Sequence, residues 1–374
     1  MISIEPLRIA WLSNAPSGDQ IDLLTALAVR PEIDLRVIYC SPHASKGEIL
    51  SSDPCGRGVF LNGSRLPGPA GGFLLNPSIV RVLTRSHYDV LIVSGYAHPT
   101  MQLAMLVRAI QRKPWLLFAE RAGMVQSYSH GVARKIAMCM VRSAAGVIAT
   151  GSLAQQSFTS QLGSSRRLFS LPYLVKHDDF LRLPRPRKGA ATVNFMACGA
   201  LIPRKGIDVL IDAFQRAAEI KSDISLTIVG EGPERHALGE RVTDECRGRI
   251  SFRGAIAFAD RAQAFGEADV FIHPARHDGW GVVINEALAA GLPVIATRQT
   301  GAAYELVQDG SNGFLLEAED EDGLVERILW FADNRDQIPN FSERARAAVS
   351  GLTPEWGAAE LVRITQSISR EKNL

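Results

Sequence analysis

Short apolar runs that end in turn residues recur along the whole chain, with amphipathic segments between them. In the first half these runs are LRIAWLS (7–13), IDLRVIYC (33–40), YDVLIVSG (88–95), PWLLFAE (114–120) and GVIATGS (146–152). Such runs are typical of strands that are buried on both faces, and the segments between them are long enough for helices. The pattern predicts an α/β fold with a parallel sheet and helices on both faces. The Gly-, Pro- and Ser-rich stretch 51–72 is expected to be a loop or a small excursion.

The same alternation starts again in the second half. Strands are predicted at 194–201, 224–232, 249–256, 268–275, 292–301 and 312–317, and helices at 207–219 and from Val282. A polar, proline-rich stretch at 176–190 separates the halves and has the composition of a linker. With 374 residues the chain is long for a single core. We therefore expect two doubly wound, Rossmann-like domains, 1–180 and 181–350, and a C-terminal helix within 351–374 that packs back toward the N-terminal domain.

Composition excludes several classes of protein. The net charge is only +2, which argues against nucleic acid as a partner. No apolar run approaches the roughly 20 residues that span a bilayer, and the N-terminus does not resemble a signal peptide. The five cysteines are scattered and form no Cys-x-x-Cys pair. That pattern favours reduced thiols in the cytoplasm and argues against a structural zinc site.

One loop of the second half combines acids with glycines. It reads HDGWGVVINEALAAG, with Asp278 before the predicted helix and Glu286 within it. Gly279 and Gly281 allow the backbone to approach a ligand closely, and N–H groups at a helix start suit a phosphate. Carboxylates accept hydrogen bonds from sugar hydroxyls. The stretch fits a sugar nucleotide; the alternative is that Asp278 only caps the helix.

Three elements of the second half, taken in order, resemble a known family. They are GALIPRKGIDVLIDAF (199–214), LTIVGEGPE (226–234) and the run from ADVFIHPARHDGWG to NGFLL (268–316). They are similar to elements of the retaining glycosyltransferases of the GT-B fold, the glycosyl transferases group 1 that include bacterial mannosyltransferases and sucrose-phosphate synthases. The resemblance covers about 194–335 and implies the GT-B arrangement, in which two Rossmann-like domains enclose a donor cleft.

The resemblance implies a role for each matched residue of the donor site. Lys205 would hold the donor diphosphate, Asp278 would contact the hydroxyls of the donor sugar, and Glu286 would bind the ribose diol. Backbone N–H groups at Gly279, Trp280 and Gly281 would face the sugar and the β-phosphate. Further donor contacts are expected at Gly230, Gly232, Arg253 and Glu305. The alternatives are a solvated lysine at Lys205 and an acid at a helix start for Glu305.

Two positions depart from the family pattern. Ala200 stands where the family usually has Arg, and Arg204 is either a replacement for that charge or a surface residue. Asp278 stands where the family usually has Glu, which shortens the reach of the carboxylate by about 1.5 Å. The donor sugar is therefore expected to lie deeper, to bind through water, or to be a different sugar.

The N-terminal half offers two candidates for catalytic residues. Glu120 ends a predicted strand, where many relatives place a catalytic-site histidine, and would face the anomeric centre. His98 lies in the loop YAHPT after another predicted strand, and a structural role is its alternative. Lys205 is the third catalytic candidate, because its charge would stabilise the departing diphosphate.

The expected reaction moves a sugar from a UDP- or GDP-type donor to a sugar or lipid-linked acceptor with retention, without metal or cofactor. Such a reaction would serve cell-surface polysaccharide or glycolipid synthesis. Asp278 and Glu286 are not interpreted as a retaining-hydrolase pair, because eight positions separate them along a loop and a helix. Instead, the leaving diphosphate would take the proton of the acceptor.

Other interpretations stay open on the sequence. An epimerase of the same fold would bind the same donors, and a non-catalytic protein that binds nucleotide sugars would fit the missing arginine at Ala200. A nicotinamide-dependent dehydrogenase needs Gly-x-Gly-x-x-Gly, and the run from Gly230 to Arg235 lacks the third glycine. The segment GVARKIAMCMVR (131–142) is either a basic helix at the inner membrane face or a helix that packs on the core.

Overall fold

The computed structural model describes residues 5–42, 56–67, 72–121, 132–183, 192–257 and 260–370. The chain divides into two compact units. The first unit holds the chain up to Leu174 together with the helix that begins at Pro354, and the second unit holds Val175–Thr353. Each unit contains its own parallel sheet. None of the described helices is long and apolar enough to cross a bilayer.

The first unit is built on a sheet of seven parallel strands. The described strands of the unit, in this sheet and outside it, are β1 (Leu7–Ser13), β2 (Ile33–Tyr39), β3 (Gly58–Phe60), β4 (Ser64–Leu66), β5 (Phe73–Leu75), β6 (Val90–Ser94), β7 (Trp115–Ala119), β8 (Gly146–Ala149) and β9 (Leu168–Ser170). Its helices before the second unit are α1 (Gly18–Ala28), α2 (Ser78–Arg85), α3 (Pro99–Ile110), α4 (Val132–Val141) and α5 (Ser152–Leu162). The strand order is β3-β2-β1-β6-β7-β8-β9, while β4 and β5 form a separate antiparallel pair.

The five apolar runs predicted in this half all form strands of the seven-stranded sheet. Burial explains why the pattern was clear: Ile9–Leu12 and Val90–Val93 are fully covered, as expected for strands between two layers of helices. The stretch 51–72, expected to be a loop or a small excursion, contains two short strands among its described residues, 56–67 and 72. Gly58–Phe60 extends the sheet by pairing with β2, and Ser64–Leu66 pairs with β5. These strands are three residues long, too short to show a period.

The second unit has a sheet of six parallel strands. They are β10 (Val193–Cys198), β11 (Ile224–Val229), β12 (Ile250–Gly254), β13 (Val270–His273), β14 (Val294–Thr297) and β15 (Gly313–Leu316). The helices are α6 (Asp178–Leu181), α7 (Ile207–Ile220), α8 (Arg235–Glu240), α9 (Arg261–Phe265), α10 (Val282–Ala290), α11 (Gly301–Leu306), α12 (Glu321–Asp333) and α13 (Ile338–Val349). The strand order is β12-β11-β10-β13-β14-β15, so the chain reverses its direction across the sheet between β10 and β13. Ligands of doubly wound folds bind at the carboxyl ends of the strands at such a reversal.

The predicted linker is only partly a linker. Its first residues form the short helix α6, whose Phe180 is buried and lies with its ring centroid 5.7 Å from that of Phe265. Phe180 is the one aromatic residue of an otherwise polar stretch, which is why composition alone pointed to an exposed segment. Residues 184–190 of the predicted linker lie outside the described residues.

The last helix, α14 (Pro354–Arg370), packs within the first unit. It contacts α1, and Ala358 and Leu361 on it are fully buried. Gly357 has no room for a side chain, because an added Cβ would stand 2.0 Å from Leu174 Cδ1. Tight packing of a glycine-bearing face therefore holds this helix against the N-terminal strands and helices.

Candidate functional site

The loop after β10 is pressed against the loop after β13. It contains a 3-10 turn, Pro203–Lys205, followed by Gly206 with φ +66°. A Cβ at Gly206 would lie 2.1 Å from the backbone oxygen of Pro274, so only glycine allows this approach. The sequence PRKG therefore serves to bring Lys205 against the end of β13.

Arg276 fastens the two loops together. Its guanidinium donates to both carboxylate oxygens of Asp208, each at 2.8 Å, and forms an ion pair with Glu319. Its backbone N–H donates to the oxygen of Arg204 at 2.9 Å. A bidentate arginine with several partners fixes geometry better than a single surface ion pair does. Arg276 thereby sets the position of the turn that carries Arg204 and Lys205.

Asp278 lies at the centre of a cluster of charges. Lys205 Nζ stands 2.5 Å from Asp278 Oδ2, and Arg204 Nη1 stands 2.9 Å from Oδ1. The side chains of Lys205 and Asp278 are 12% and 10% exposed, so water screens this pair little. The structure thus brings together three residues that the sequence predicts for the donor site.

His273 belongs to the same cluster and was not identified from the sequence. It is the last residue of β13, is 2% exposed, and places Nε2 3.2 Å from Asp278 Oδ2. Burial lowers the pKa of His273, so the ring is neutral and donates from Nε2. Burial opposes ionisation of Asp278, but the hydrogen bond of His273 and the charge of Lys205 outweigh it and hold the pKa of Asp278 well below its usual range.

The start of α10 is shaped around this carboxylate. Gly281, with φ +84°, precedes the helix, and a Cβ there would lie 2.7 Å from Thr300 Cγ2 and 3.4 Å from Asp278 Oδ2. The Trp280 side chain is fully buried and donates from Nε1 to Asn285 Oδ1 at 2.9 Å. Trp280 therefore holds the loop onto the helix through its side chain.

Glu286 lies inside a buried stretch of α10. All residues from Ile284 to Ala290 are buried, and Glu286 is 5% exposed. Buried apolar neighbours such as Ala287 and Leu288 anchor the helix in the core, and Glu286 is a charged residue within this buried stretch. A buried carboxylate is costly unless it is hydrogen-bonded, so Glu286 requires polar partners at this position.

Glycines shape the turn after β11. Gly230 has φ +141°, and a Cβ there would lie 1.9 Å from the oxygen of Gly199. A Cβ at Gly232 would lie 2.3 Å from the oxygen of Leu201. The turn after β11 therefore rests directly on the backbone of the loop after β10, next to Lys205.

Gly230→Ala should destabilise the second unit strongly. The new methyl group would clash with the backbone of Gly199, and alanine would have to adopt an unfavourable φ. Together these effects should lower the free energy of unfolding by about 3 kcal/mol, or the melting temperature by roughly 10 °C. Gly248→Ala is the matched control, because nothing lies within 4 Å of a Cβ there. Thermal unfolding of both variants tests this packing, and equal melting temperatures would contradict it.

Arg253 and Glu305 lie at the margins of the site. Arg253 belongs to β12 and precedes Gly254, whose oxygen accepts from Gly230 N–H at 2.8 Å. The guanidinium of Arg253 pairs with Glu267 at 2.5 Å. Glu305 is an exposed residue of α11. Arg253 is therefore beside the glycine turn, and Glu305 is on a neighbouring loop-helix element.

The two N-terminal candidates lie at strand ends of the first unit. Glu120 directly follows β7 and is half-buried. His98 precedes α3, and its Nδ1 accepts a hydrogen bond from Leu74 N–H at 3.1 Å. Burial lowers the pKa of His98. The ring thus ties β5 to α3, which agrees with the structural alternative for this histidine.

No group of three or more His, Cys, Asp or Glu side chains among the described residues is placed to hold a metal ion. The run Asp320-Glu321-Asp322 has the Asp-x-Asp spacing of a metal motif, but its carboxylates are otherwise engaged. Asp320 caps α12 by accepting from Gly323 N–H, and Asp322 pairs with Arg216. This run is a helix start.

Comparison with known proteins agrees with this arrangement. Residues 192–334 match the family model described as glycosyl transferases group 1. The chain is 26% identical over 371 residues to a phosphatidyl-myo-inositol mannosyltransferase of Mycobacterium tuberculosis, covering 95% of this chain and 94% of the relative. It is 31% identical over 191 residues to a GDP-mannose-dependent monoacylated alpha-(1-6)-phosphatidylinositol monomannoside mannosyltransferase of Corynebacterium glutamicum, covering 48% of this chain and 49% of that one.

The fold is also similar to solved structures. The Anabaena protein HepE, solved in complex with UDP, superposes with a TM-score of 0.76 at 20% identity, covering 97% of this chain and 100% of that one. That likeness establishes the fold, and the GT-B prediction is confirmed. Residues 192–334 are thus similar to the glycosyl transferases group 1, in a chain of the GT-B fold.

Proposed function

We propose that this chain is a retaining glycosyltransferase that moves a sugar from a nucleotide-diphosphate sugar to a sugar or lipid-linked acceptor. One observation carries the proposal: Lys205 and Arg204 converge at the carboxyl ends of β10 and β13, where the strand order reverses. Two cations at this edge suit a diphosphate, and doubly wound folds bind nucleotides at the carboxyl ends of the strands where the strand order reverses.

The proposed chemistry is a front-face substitution. The bond between the anomeric carbon and the phosphate oxygen breaks as the acceptor oxygen bonds to the same face of that carbon. The leaving diphosphate takes the acceptor proton. Lys205 and Arg204 stabilise the charge that grows on the phosphate, an electrostatic contribution made before the reaction starts. Their two positive charges can serve this step without a metal, so we propose turnover that does not depend on one.

The donor is proposed to carry UDP or GDP, and the acceptor to be a lipid-linked or free sugar of cell-surface polysaccharide or glycolipid synthesis. The names of the relatives support a lipid acceptor and a GDP-mannose donor, and the UDP complex of HepE supports a UDP donor. We propose that the protein works in the cytoplasm, and at the inner membrane face when the acceptor is lipid-linked. Flotation with anionic vesicles measures that contact, and absence of flotation would remove it.

A donor and acceptor panel tests the proposal. UDP- and GDP-sugars are supplied with free and lipid-linked acceptors, with and without EDTA, and the anomeric configuration of the product is read by proton NMR. We expect transfer with the donor's configuration kept and no loss of rate in EDTA. An inverted product would overturn retention. A product formed from the donor alone, an isomeric nucleotide sugar, would instead favour the epimerase.

A further inference from the structure

Asp278 contacts both cations of the proposed donor site. Its Oδ2 faces both Lys205 Nζ and His273 Nε2, and its Oδ1 faces Arg204. Each cation that would hold a phosphate is therefore already paired with one carboxylate. While Asp278 is paired with these two cations, their attraction for the donor diphosphate is weakened.

We propose that Asp278 is the resident counter-ion of Lys205 and Arg204, that the donor diphosphate replaces it on both cations, and that His273 retains Asp278 after the exchange. This inference rests on the proposed function, because it assigns a donor diphosphate to Lys205. It makes His273 a positioning residue, since its ring would hold the displaced carboxylate without touching the donor. It also gives the shorter Asp278 side chain a function distinct from that of a sugar ligand.

Geometry favours His273 as the residue that retains the carboxylate. Lys205 and Arg204 sit on the turn after β10, whereas His273 and Asp278 belong to the same strand and loop, five positions apart. The His273 ring is 2% exposed and stacks against Phe271 with the two centroids 6.4 Å apart, so it has little freedom to turn away. Gly281 packs closely beside the pair, since an added Cβ would lie 3.4 Å from Asp278 Oδ2 and 3.5 Å from His273 Nε2.

The exchange changes the charge around His273. In the free protein, burial lowers the pKa of His273, Lys205 and Arg204 lower it further, and Asp278 raises it. Once the diphosphate neutralises the two cations, Asp278 is left facing His273 alone, so the pKa of the histidine rises. Donor binding should therefore take up a proton when the pH lies between the free and bound values. By linkage, donor affinity should then increase as the pH falls, by up to about tenfold per pH unit.

Calorimetric titration measures this proton directly. UDP-glucose and GDP-mannose are suitable probes because their diphosphate diesters do not titrate near neutral pH. Binding heats are compared in buffers of different ionisation enthalpy, for the unsubstituted protein, His273→Gln and the control His236→Gln. His236 is a surface histidine of the same unit, 85% exposed. We expect proton uptake in the unsubstituted protein and in the control, and none in His273→Gln.

A second variant separates a counter-ion from a sugar ligand. Asp278→Asn removes the resident charge, so inorganic pyrophosphate should bind about tenfold more tightly, equivalent to about 1.4 kcal/mol. Tighter pyrophosphate binding supports the exchange. Weaker pyrophosphate binding, or donor binding without proton uptake in the unsubstituted protein, overturns it. If neither nucleotide sugar binds the unsubstituted protein, the proposed function fails as well. Should Asp278→Asn not fold, His273→Gln alone decides.

Discussion

Lys205→Ala should reduce sugar transfer by about 10²–10³-fold in kcat, the scale of losing one preorganised charge at a developing anion. The loss should fall on kcat as well as on donor KM, because the charge on the diphosphate is larger in the transition state than in the bound donor. Arg204 and His273 still contact Asp278 in this variant, so the fold should persist. Steady-state kinetics and circular dichroism together measure both effects.

The matched control for Lys205 is Lys221→Ala. Lys221 follows α7 in the same unit and pairs with Asp333 rather than with the cluster around Asp278. Its loss removes the same charge and the same number of side-chain atoms. Transfer by Lys221→Ala should stay within about twofold of the unsubstituted rate, as expected for a surface ion pair. Comparable losses in both variants would mean that Lys205 acts only through the net charge of the unit.

Glu286→Gln should weaken donor use by about 10–100-fold in kcat/KM. A carboxylate that accepts from two ribose hydroxyls contributes hydrogen bonds worth about 1.5–3 kcal/mol each, and the amide keeps the volume but loses the charge. Because Glu286 is buried in α10, glutamine avoids the cavity that alanine would leave. The effect should appear mainly in the KM for the donor. We propose to measure this KM with the normal donor and with a donor that carries 2′-deoxyribose.

The deoxyribose donor makes the Glu286 experiment specific. If Glu286 binds the ribose, removing the 2′-hydroxyl should cost the unsubstituted protein far more than it costs Glu286→Gln. Glu326→Gln is the matched control, because Glu326 is an exposed residue of α12 with 67% of its side chain accessible. An equal penalty for the deoxyribose donor in the unsubstituted protein and in the Glu286→Gln variant would remove the ribose assignment.

Much of the fold was predictable because the sheets are buried on both faces. Runs such as LRIAWLS and ADVFIH stand out in the sequence since most residues of a central parallel strand are apolar. The short strands β3 and β4 and the helix turn at Phe180 escaped, because three or four residues carry no period.

The candidate site was predictable where its residues follow one another and not where distant residues meet. Asp278 and the glycines beside it could be recognised because they lie close together in one loop, where their spacing indicates the backbone conformation. Arg276 pairs with Asp208 and Glu319, which lie 68 and 43 positions away in the sequence, and no local pattern reveals such contacts. His273 escaped for another reason: inside an apolar strand its ring resembled one more buried residue. The available signal was a histidine as the last residue of a buried strand at the carboxyl edge of the sheet.

A crystal structure of the protein with its nucleotide-sugar donor tests the central claim most directly, because it shows where the diphosphate lies. The account predicts phosphate oxygens within hydrogen-bond distance of Lys205 Nζ, ribose hydroxyls at Glu286, and Asp278 held by His273 alone. A nucleotide bound elsewhere, with the Lys205–Asp278 ion pair intact, would contradict it.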